Sequence, residues 1–147
     1  ARPNPAVLGI LGSARLEAVI LCLAGPWLRI DPLLAMPTMR QALADCRAPV
    51  VAVSPVVAGR AIKGPTAKLM QELGIEVSAV AVADHYAGLL DGFVLDQADA
   101  TLADRLGIAG LVAPTVMRSL EDREALARAT LGFARGLPAG PRLKRAS

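Results

Sequence analysis

Short runs of apolar residues, many of them β-branched, alternate with amphipathic stretches along most of this 147-residue chain. The apolar runs predict strands at residues 18–23, 49–53, 77–82, 92–95 and 111–113. The amphipathic stretches predict helices at residues 39–45, 65–73, 98–106 and 120–135. Such repetition favours an α/β fold whose layered, Rossmann-like sheet is mostly parallel. The first three runs lack polar alternation, which is typical of parallel strands buried on both faces.

The composition fits this fold and argues against a membrane protein. Apolar residues make up 54% of the chain but aromatic residues only 3%, so Ala, Val, Leu and Ile must build the core. The longest apolar run, 18–28, contains Gly25-Pro26 and is followed by Arg29. A spanning helix needs about 20 apolar residues, so we expect no membrane segment. No signal-peptide pattern opens the chain, and we therefore expect a cytoplasmic protein.

The charge balance argues against nucleic-acid binding. The chain has 16 basic and 13 acidic residues, and the surplus of +3 equals the number of basic residues in the stretch 136–147. Residues 1–135 are therefore near neutral, and their few aromatic residues are not interleaved with cations as a nucleic-acid surface requires. We expect residues 1–135 to form part of one Rossmann-like domain. Residues 136–147, rich in Pro, Gly and basic residues, are predicted to be a disordered tail.

Several residues that often carry chemistry are predicted to be structural. Cys22 and Cys46 lie far apart and the chain has one His, so we expect two reduced, buried thiols and no zinc site. His85 is interpreted as a hydrogen-bonded histidine where a strand gives way to a loop. Asp96 and Asp99 fit turn and cap chemistry better than a pair of metal ligands. The four methionines are predicted to fill the core: Met36, Met39, Met70 and Met117.

The segment Ser54–Pro65 begins where a predicted strand ends. Ser54-Pro55 follows the run 49–53, and Ala58-Gly59 permits a tight loop. Open α/β sheets bind their ligands at the carboxyl ends of the strands. The segment is therefore placed where a binding site is expected.

Two cations in this segment flank the start of a predicted helix. Arg60 and Lys63 precede Gly64, an acceptable N-cap, and Pro65, which is favoured in the first helical turn. A helix N-terminus offers unpaired N–H groups and a partial positive charge, so with these cations it predicts a site for phosphate or carboxylate. The alternative is that both cations are solvated loop charges and that Gly-Pro only makes a turn.

The same segment carries a resemblance to a known family, the CofD-type transferases, whose second half it is similar to. The matching stretches are 54–74, 76–79, 82–86, 89–94 and 96. The resemblance spans roughly residues 4–131, and its most specific element is Lys63-Gly64-Pro65. It implies an enzyme of coenzyme F-420 biosynthesis. That enzyme would move a phospholactyl or phosphoenolpyruvyl group from a guanosine diphosphate donor to a hydroxyl of the deazaflavin riboside Fo.

The resemblance implies substrate-binding roles for five residues of the segment. Arg60 and Lys63 would neutralise the diphosphate of the donor, because catalysis of such a transfer depends on positioning and charge neutralisation. Ser54 and Gly59 would shape the loop, and Gly64 would open the anion-binding helix. No catalytic residue is assigned.

A second matching segment is the loop after the first predicted strand. The family has Pro-Ser-Asn-Pro there, whereas this chain has Ala24 and Gly25 in place of the hydroxyl and the amide, followed by Pro26. Arg29 stands where the family has a serine. Either Arg29 compensates as a phosphate ligand or this chain binds its donor poorly. Trp27 would pack against a substrate ring unless it belongs to the core.

The family's metal ligands have no counterpart in this sequence. The Gly-rich strand-turn and the acidic residues that would hold Mg²⁺ are expected upstream of Ala1, in the N-terminal half of the enzyme. We therefore interpret the chain as an incomplete domain that is inactive by itself and has no metal site of its own. Its open sheet edge would be covered by the missing half or by a second copy in a homodimer.

Two other functions stay open at this point. One is a non-catalytic protein of the same fold that binds a nucleotide or nucleotide-sugar and regulates a partner. The other is a degenerate copy that only folds. Acidic metal ligands upstream of Ala1 would favour the enzyme over both.

Overall fold

The computed structural model describes residues 2–62 and 64–140. Its strands are β1 (Val19–Cys22), β2 (Val50–Val53), β3 (Val56–Val57), β4 (Arg60–Ala61), β5 (Gly92–Asp96) and β6 (Ala109–Ala113). Its α-helices are α1 (Pro5–Leu11), α2 (Asp31–Leu34), α3 (Pro37–Asp45), α4 (Thr66–Glu72), α5 (Ala79–His85) and α6 (Leu120–Arg135). A π-helical turn covers Pro26–Ile30, and a 3-10 helix covers Gln97–Arg105.

Four strands form one parallel sheet, in the spatial order β1-β2-β5-β6. The remaining two, β3 and β4, form a separate antiparallel hairpin. Helical segments connect the parallel strands, as such strands require. The predicted α/β class and the Rossmann-like, mostly parallel sheet are therefore confirmed.

The two faces of the sheet are covered by different helices. On one face, Val50, Ala52, Phe93 and Leu95 join a large core cluster with buried residues of α1, α3 and α5. On the other face, residues of β2, β5 and β6 pack with residues of α6 in a smaller cluster, whose buried members are Val51, Val94, Ala113, Leu126 and Ala134. The central strands β2 and β5 are thus buried on both sides, and for β2 this confirms the prediction from its unbroken apolar run.

Helix α6 lies very close to β5, and Gly92 makes this approach possible. A Cβ atom placed on Gly92 would lie 2.6 Å from Cε1 of Phe133 and 2.9 Å from Cδ1 of Leu137. The helix begins with a capping box, in which the Ser119 side chain accepts from the Asp122 N–H and the Asp122 side chain accepts from the Ser119 N–H. These local features fix where α6 starts and how closely it packs.

Strand β1 departs from the prediction of burial on both faces. Its residues alternate, with Val19 and Leu21 half-buried and Ile20 and Cys22 exposed. The reason is its position, because within residues 2–62 and 64–140 β1 pairs only with β2 and forms an edge of the sheet. Pairing of a second copy at this edge stays a prediction.

The predicted strand at residues 77–82 is wrong, because this stretch starts a helix. Ser78 has extended backbone angles, and its hydroxyl accepts from the N–H of Ala81 at 3.1 Å, so it caps α5. The residues that follow bury their side chains in helical register: Ala79, Val80, Val82 and Ala83. A continuous apolar run of this length cannot by itself distinguish a buried strand from a buried helix.

Two smaller predictions, on Cys22 and Met117, are also corrected. Cys46 is buried, but Cys22 is exposed, because it lies on the open side of β1. Met39 and Met70 fill the core at 4% and 0% exposure, whereas Met117 is 48% exposed. Met117 follows the last strand in a connection that leaves the sheet, so no helix covers it.

The C-terminal stretch is described only in part. Gly136 caps the end of α6, and the N–H of Gly140 donates to the carbonyl of Arg47 at 2.9 Å. Residues 141–147 of the predicted tail lie outside the described residues. In the described ranges, the helices are too short or too polar for any of them to traverse a lipid bilayer.

Candidate functional site

All four parallel strands end at one edge of the sheet, and four connections leave from there. The π-helical turn follows β1, the β3–β4 hairpin follows β2, the 3-10 helix follows β5, and Pro114-Thr115 follows β6. Because β1, β2, β5 and β6 are neighbours in that order, the strand ends from which these connections leave lie side by side. This carboxyl edge is where such sheets bind ligands.

Ser54 turns the chain from the sheet into the hairpin. Its N–H donates to the carbonyl of Val94 at 2.8 Å, which extends the ladder between β2 and β5 by one bond. Its buried hydroxyl donates to the carbonyl of Val56 at 2.8 Å and lies 3.2 Å from the Val56 N–H, which donates to it. Ser54 therefore shapes the loop, and both hydrogen-bonding functions of its hydroxyl are used inside the protein.

A two-residue turn at Ala58-Gly59 closes the hairpin. Val57 pairs with Arg60, and the two turn residues have φ angles of +49° and +72°. Two successive positive φ values are typical of a type I′ turn, which matches the twist of the flanking strands. The predicted tight loop is confirmed. The sequence did not reveal that the residues on either side of the loop pair as strands.

The turn brings Arg60, the residue that directly follows Gly59, to the surface. Arg60 is exposed on β4, and in the part of the chain that the structure describes its guanidinium has no carboxylate within ion-pair distance. Its charge is therefore available to an anion. Lys63, the other predicted cation of this segment, lies outside the described residues.

The buried carboxylate of Asp99 holds the tip of the hairpin. The N–H of Ala58 points at both Asp99 oxygens, at 3.1 Å and 3.0 Å. Asp99 is 6% exposed, and its φ of −106° and ψ of 17° depart from helical values inside the 3-10 helix. The sequence interpretation of Asp99 as turn or cap chemistry did not include this long-range bond, because nothing local to Asp99 reveals which N–H it will meet.

Asp96, at the end of β5, fixes the start of the 3-10 helix and the end of β6. One carboxylate oxygen accepts from the N–H of Ala98 at 2.9 Å, and the other accepts from the N–H and the hydroxyl of Thr115 at 2.8 Å and 3.0 Å. Burial alone would raise the pKa of the Asp96 carboxyl. The hydrogen bonds from Ala98, Thr115 and Val116 outweigh burial and hold that pKa below its usual range. The predicted cap role of Asp96 is confirmed.

The helix after the hairpin starts one residue later than predicted. Gly64 has a φ of +73° and belongs to the turn, while Pro65 is the N-cap of α4. The prediction of Gly64 as N-cap is therefore wrong, because glycine serves here to admit a left-handed backbone. Among the described residues, no side chain caps α4, and the buried hydroxyl of Thr66 has no hydrogen-bond partner.

The connection after β1 carries the second group of predicted site residues. Gly25 has a φ of +129°, Pro26 is buried, and Arg29 is exposed. The aliphatic part of Arg29 folds over Gly25, because a Cβ atom at Gly25 would lie 3.7 Å from both Cγ and Cδ of Arg29. No ion pair to Arg29 occurs within the ranges that the structure describes.

Trp27 lies beside a hydrogen-bonded cluster. Its ring centroid is 5.0 Å from that of His85, and His85 Nε2 lies 2.8 Å from an oxygen of Asp31. The Tyr86 hydroxyl donates to the other Asp31 oxygen at 2.9 Å. Burial, the Asp31 hydrogen bond and the Asp31 charge together raise the pKa of Tyr86 well above its usual range. His85 is hydrogen-bonded as predicted, although it ends a helix and not a strand.

The described site residues thus lie in the connections that follow two neighbouring strands. Ser54, Gly59 and Arg60 follow β2, with Ser54 just before the hairpin, whereas Pro26, Trp27 and Arg29 lie in the π-helical turn after β1. Asp99, which holds the tip of the hairpin, was noted in the sequence but not linked to the hairpin.

The described residues do not fit a Mg²⁺ ion. Among them there is no group of three or more His, Cys, Asp or Glu side chains that could hold a metal. The carboxylates of Asp96 and Asp99, at the carboxyl edge, already accept backbone N–H groups. No chemical step can therefore be assigned to a metal held by these side chains.

Comparison with known proteins gives matches to transferases of one family. The family model described as "2-phospho-L-lactate transferase CofD" matches residues 1–116. A phosphoenolpyruvate transferase of Streptomyces coelicolor is 36% identical over 138 residues, which is 91% of this chain and 43% of that protein. A 2-phospho-L-lactate transferase of Methanosarcina acetivorans is 38% identical over 120 residues, and one of Methanosarcina mazei is 39% identical over 114 residues. They are matched over 38% and 37% of their length, so the chain spans less than half of each relative.

Proposed function

The chain belongs to the CofD family of 2-phospho-L-lactate transferases, and from this premise we propose that it forms the diphosphate-binding part of such a transferase. The donor would be a guanosine diphosphate that carries phospholactate or phosphoenolpyruvate. The acceptor would be the hydroxyl of the deazaflavin riboside Fo, in the biosynthesis of coenzyme F-420. The observation that carries the proposal is the hairpin at the carboxyl end of β2, which exposes Arg60 without an ion-pair partner among the described residues.

The chemistry explains why cations are needed at this place. A hydroxyl oxygen of Fo forms a bond to the phosphorus that carries the three-carbon acid. The bond from that phosphorus to the bridging oxygen breaks, guanosine monophosphate leaves, and the hydroxyl loses its proton. Negative charge increases on the leaving phosphate, so cations held beside it lower the barrier.

Arg60 and Lys63 are proposed to bind the diphosphate, and the hairpin gives Arg60 a defined position. An arginine can donate two parallel hydrogen bonds to phosphate oxygens, which orients the group as well as neutralising it. The hydroxyl of Ser54 is used within the loop, so we propose that Ser54 supports the site without touching the ligand. Gly59 would act in the same way, through the turn.

Arg29 is proposed as an additional phosphate ligand from the neighbouring connection. This chain has Ala24 and Gly25 where the family has polar side chains, so the loop itself offers fewer donors. Arg29 is exposed and folds back over Gly25, which keeps its charge near the loop. Pro26 would fix the loop, and the part of Trp27 that is not packed against the core would contact a substrate ring. Mg²⁺, which the family resemblance implies, would have to be held by side chains other than those described.

Binding of GDP measured by isothermal titration calorimetry tests the proposal. We expect the 147-residue chain to bind GDP, and both Arg60→Ala and Lys63→Ala to weaken binding about tenfold, because each removes a charge-assisted hydrogen bond to phosphate. Lys68→Ala is the matched control, since Lys68 is an exposed cation on the adjacent helix and is paired with Glu72. Absence of heat from the unsubstituted chain, or equal weakening by the control, would contradict the proposed site.

A transfer assay tests the assignment of the chain as one part of the site. We expect the chain alone to form no product from Fo and the donor, because its described residues offer no place for a divalent cation. Product formed by the chain alone would overturn this expectation. GDP binding together with an absence of transfer by the full-length protein would instead favour a regulatory nucleotide-binding protein.

A further inference from the structure

The tip of the hairpin is held by a side chain from a different strand connection. The Ala58 N–H donates to both oxygens of Asp99, and Asp99 belongs to the 3-10 helix that follows β5. The hairpin itself follows β2, and each of its strands has two residues. So short a hairpin is not stable alone, and its position must come from such anchors.

We infer that Asp99 is a positioning residue for the proposed diphosphate site: by holding the Ala58 N–H, it places Arg60 where it binds the phosphate groups. This inference rests on the proposed function. Asp99 does not itself touch the ligand, because it is 6% exposed and its oxygens face the backbone of the turn. Its effect reaches the ligand through the short stretch of backbone, two peptide bonds long, that joins Ala58 to Arg60.

The backbone of the turn needs this anchor. Ala58 has a φ of +49°, and a non-glycine residue there is strained by roughly 1 kcal/mol or more. The hydrogen bond from the Ala58 N–H to Asp99 offsets this strain, and without it the strained conformation of the turn would be less stable. A change at Ala58 would move Arg60, because Arg60 pairs with Val57 across the same turn.

Asp99 is itself held firmly. The 3-10 helix that carries it starts at Asp96, whose carboxylate is bound by Ala98 and Thr115. This ties the helix start to the ends of both β5 and β6. Asp99 is therefore presented by the sheet and not by a free loop, which is what accurate positioning requires.

Charge alone predicts the opposite effect of removing Asp99. A carboxylate near an anion site repels the anion, so a variant without it should bind a diphosphate more tightly if charge were all that mattered. Positioning predicts weaker binding. The sign of the change in affinity therefore separates the two explanations.

The test is calorimetric titration of the 147-residue chain and its variants with GDP. We expect Asp99→Ala to weaken binding about tenfold and Asp99→Asn to retain affinity within about threefold, because the amide oxygen still accepts the Ala58 N–H. Asp104→Ala is the control, since Asp104 is an exposed carboxylate on the same helix, and it should not weaken binding. If Asp99→Ala does not fold by circular dichroism, Asp99→Glu replaces it. That variant keeps the charge but displaces the carboxylate, and it should also weaken binding.

A double variant shows whether Asp99 acts through Arg60. In the Arg60→Ala background, Asp99→Ala should change GDP affinity by less than about twofold, whereas independent effects would multiply. Multiplying effects, unchanged affinity of Asp99→Ala, or tighter binding by it would overturn the inference while leaving the proposed function intact. Failure of the unsubstituted chain to bind GDP would reject both.

Discussion

Replacing Asp96 by alanine would leave three hydrogen-bond donors at the carboxyl edge without their acceptor. The Asp96 carboxylate binds the N–H of Ala98 at the start of the 3-10 helix and the N–H and hydroxyl of Thr115 after β6. Asp96 is 5% exposed and Thr115 is 3% exposed. Water therefore cannot easily take the place of the lost carboxylate at Thr115.

The expected loss of stability follows from these donors. Two buried donors of Thr115 would lose their acceptor, and each such group costs about 1–3 kcal/mol. The N–H of Ala98 lies at an exposed residue and can turn to water, so the lost cap adds about 1 kcal/mol. We expect Asp96→Ala to lower the free energy of unfolding by roughly 3–7 kcal/mol, a large share of the total of about 5–15 kcal/mol that is typical of a domain.

Urea unfolding monitored by circular dichroism and by the fluorescence of Trp27 measures this loss. The midpoint should fall while the slope stays unchanged. In a Thr115→Val background, the effect of Asp96→Ala should shrink by about 1 kcal/mol, because one of the donors is already absent. Asp104→Ala on the same helix is the control and should stay within about 0.5 kcal/mol. A loss below about 1 kcal/mol for Asp96→Ala would refute the reasoning.

The same variant has a defined pH dependence. The folded-state pKa of Asp96 is held below its unfolded value, so its contribution is fully present above that unfolded value, about 4. The contribution is lost as pH falls through the lower folded-state pKa. The difference between the unsubstituted chain and Asp96→Ala should therefore be constant from neutral pH to about pH 5 and then shrink in acid.

Three further predictions concern packing, capping and thiol access. Gly92→Ala should lower the free energy of unfolding in urea by about 1–3 kcal/mol, because the added methyl group meets the Phe133 ring. In the double variant with Phe133→Leu, most of that loss should be recovered, and additive losses of the two substitutions would contradict this explanation. Ser119→Ala should cost about 1 kcal/mol by removing the capping box, and an unchanged midpoint would show that the cap adds nothing. Cys22 should react with a thiol reagent in the native protein and Cys46 only on unfolding; the reverse order would contradict their assigned exposure.

The sequence predicted the sheet well because its central strands leave a strong signal. The apolar runs that become β2 and most of β5 are buried on both faces, and the charged Asp96 stands only at the end of β5. The run that becomes α5 is just as apolar, and the distinction rests on Ser78, whose hydroxyl caps the helix. That serine, followed by several alanines, which favour helices, is the signal that would have indicated a helix.

The conformation of the candidate segment was predicted only in part. Gly59 and the two cations marked the segment, and the turn at Ala58 followed from its glycine neighbour. The bond from Ala58 to Asp99 could not be predicted, because it joins residues that are far apart in sequence and adjacent only after β2 and β5 have paired. Strand pairing of Val56–Val57 was missed for a similar reason, since two-residue strands have no periodicity to detect.

At the hairpin tip, the group that bonds to Asp99 is a backbone N–H, so the bond leaves the side chain at position 58 free to change. Any residue except proline supplies the same N–H at position 58, so the bond to Asp99 does not depend on which side chain stands there. Glycine or asparagine would also tolerate the positive φ at that position. The loop can therefore exchange the side chain at its tip among residues that tolerate a positive φ while its location stays the same, which makes position 58 a suitable place to alter the ligand preference of the proposed site.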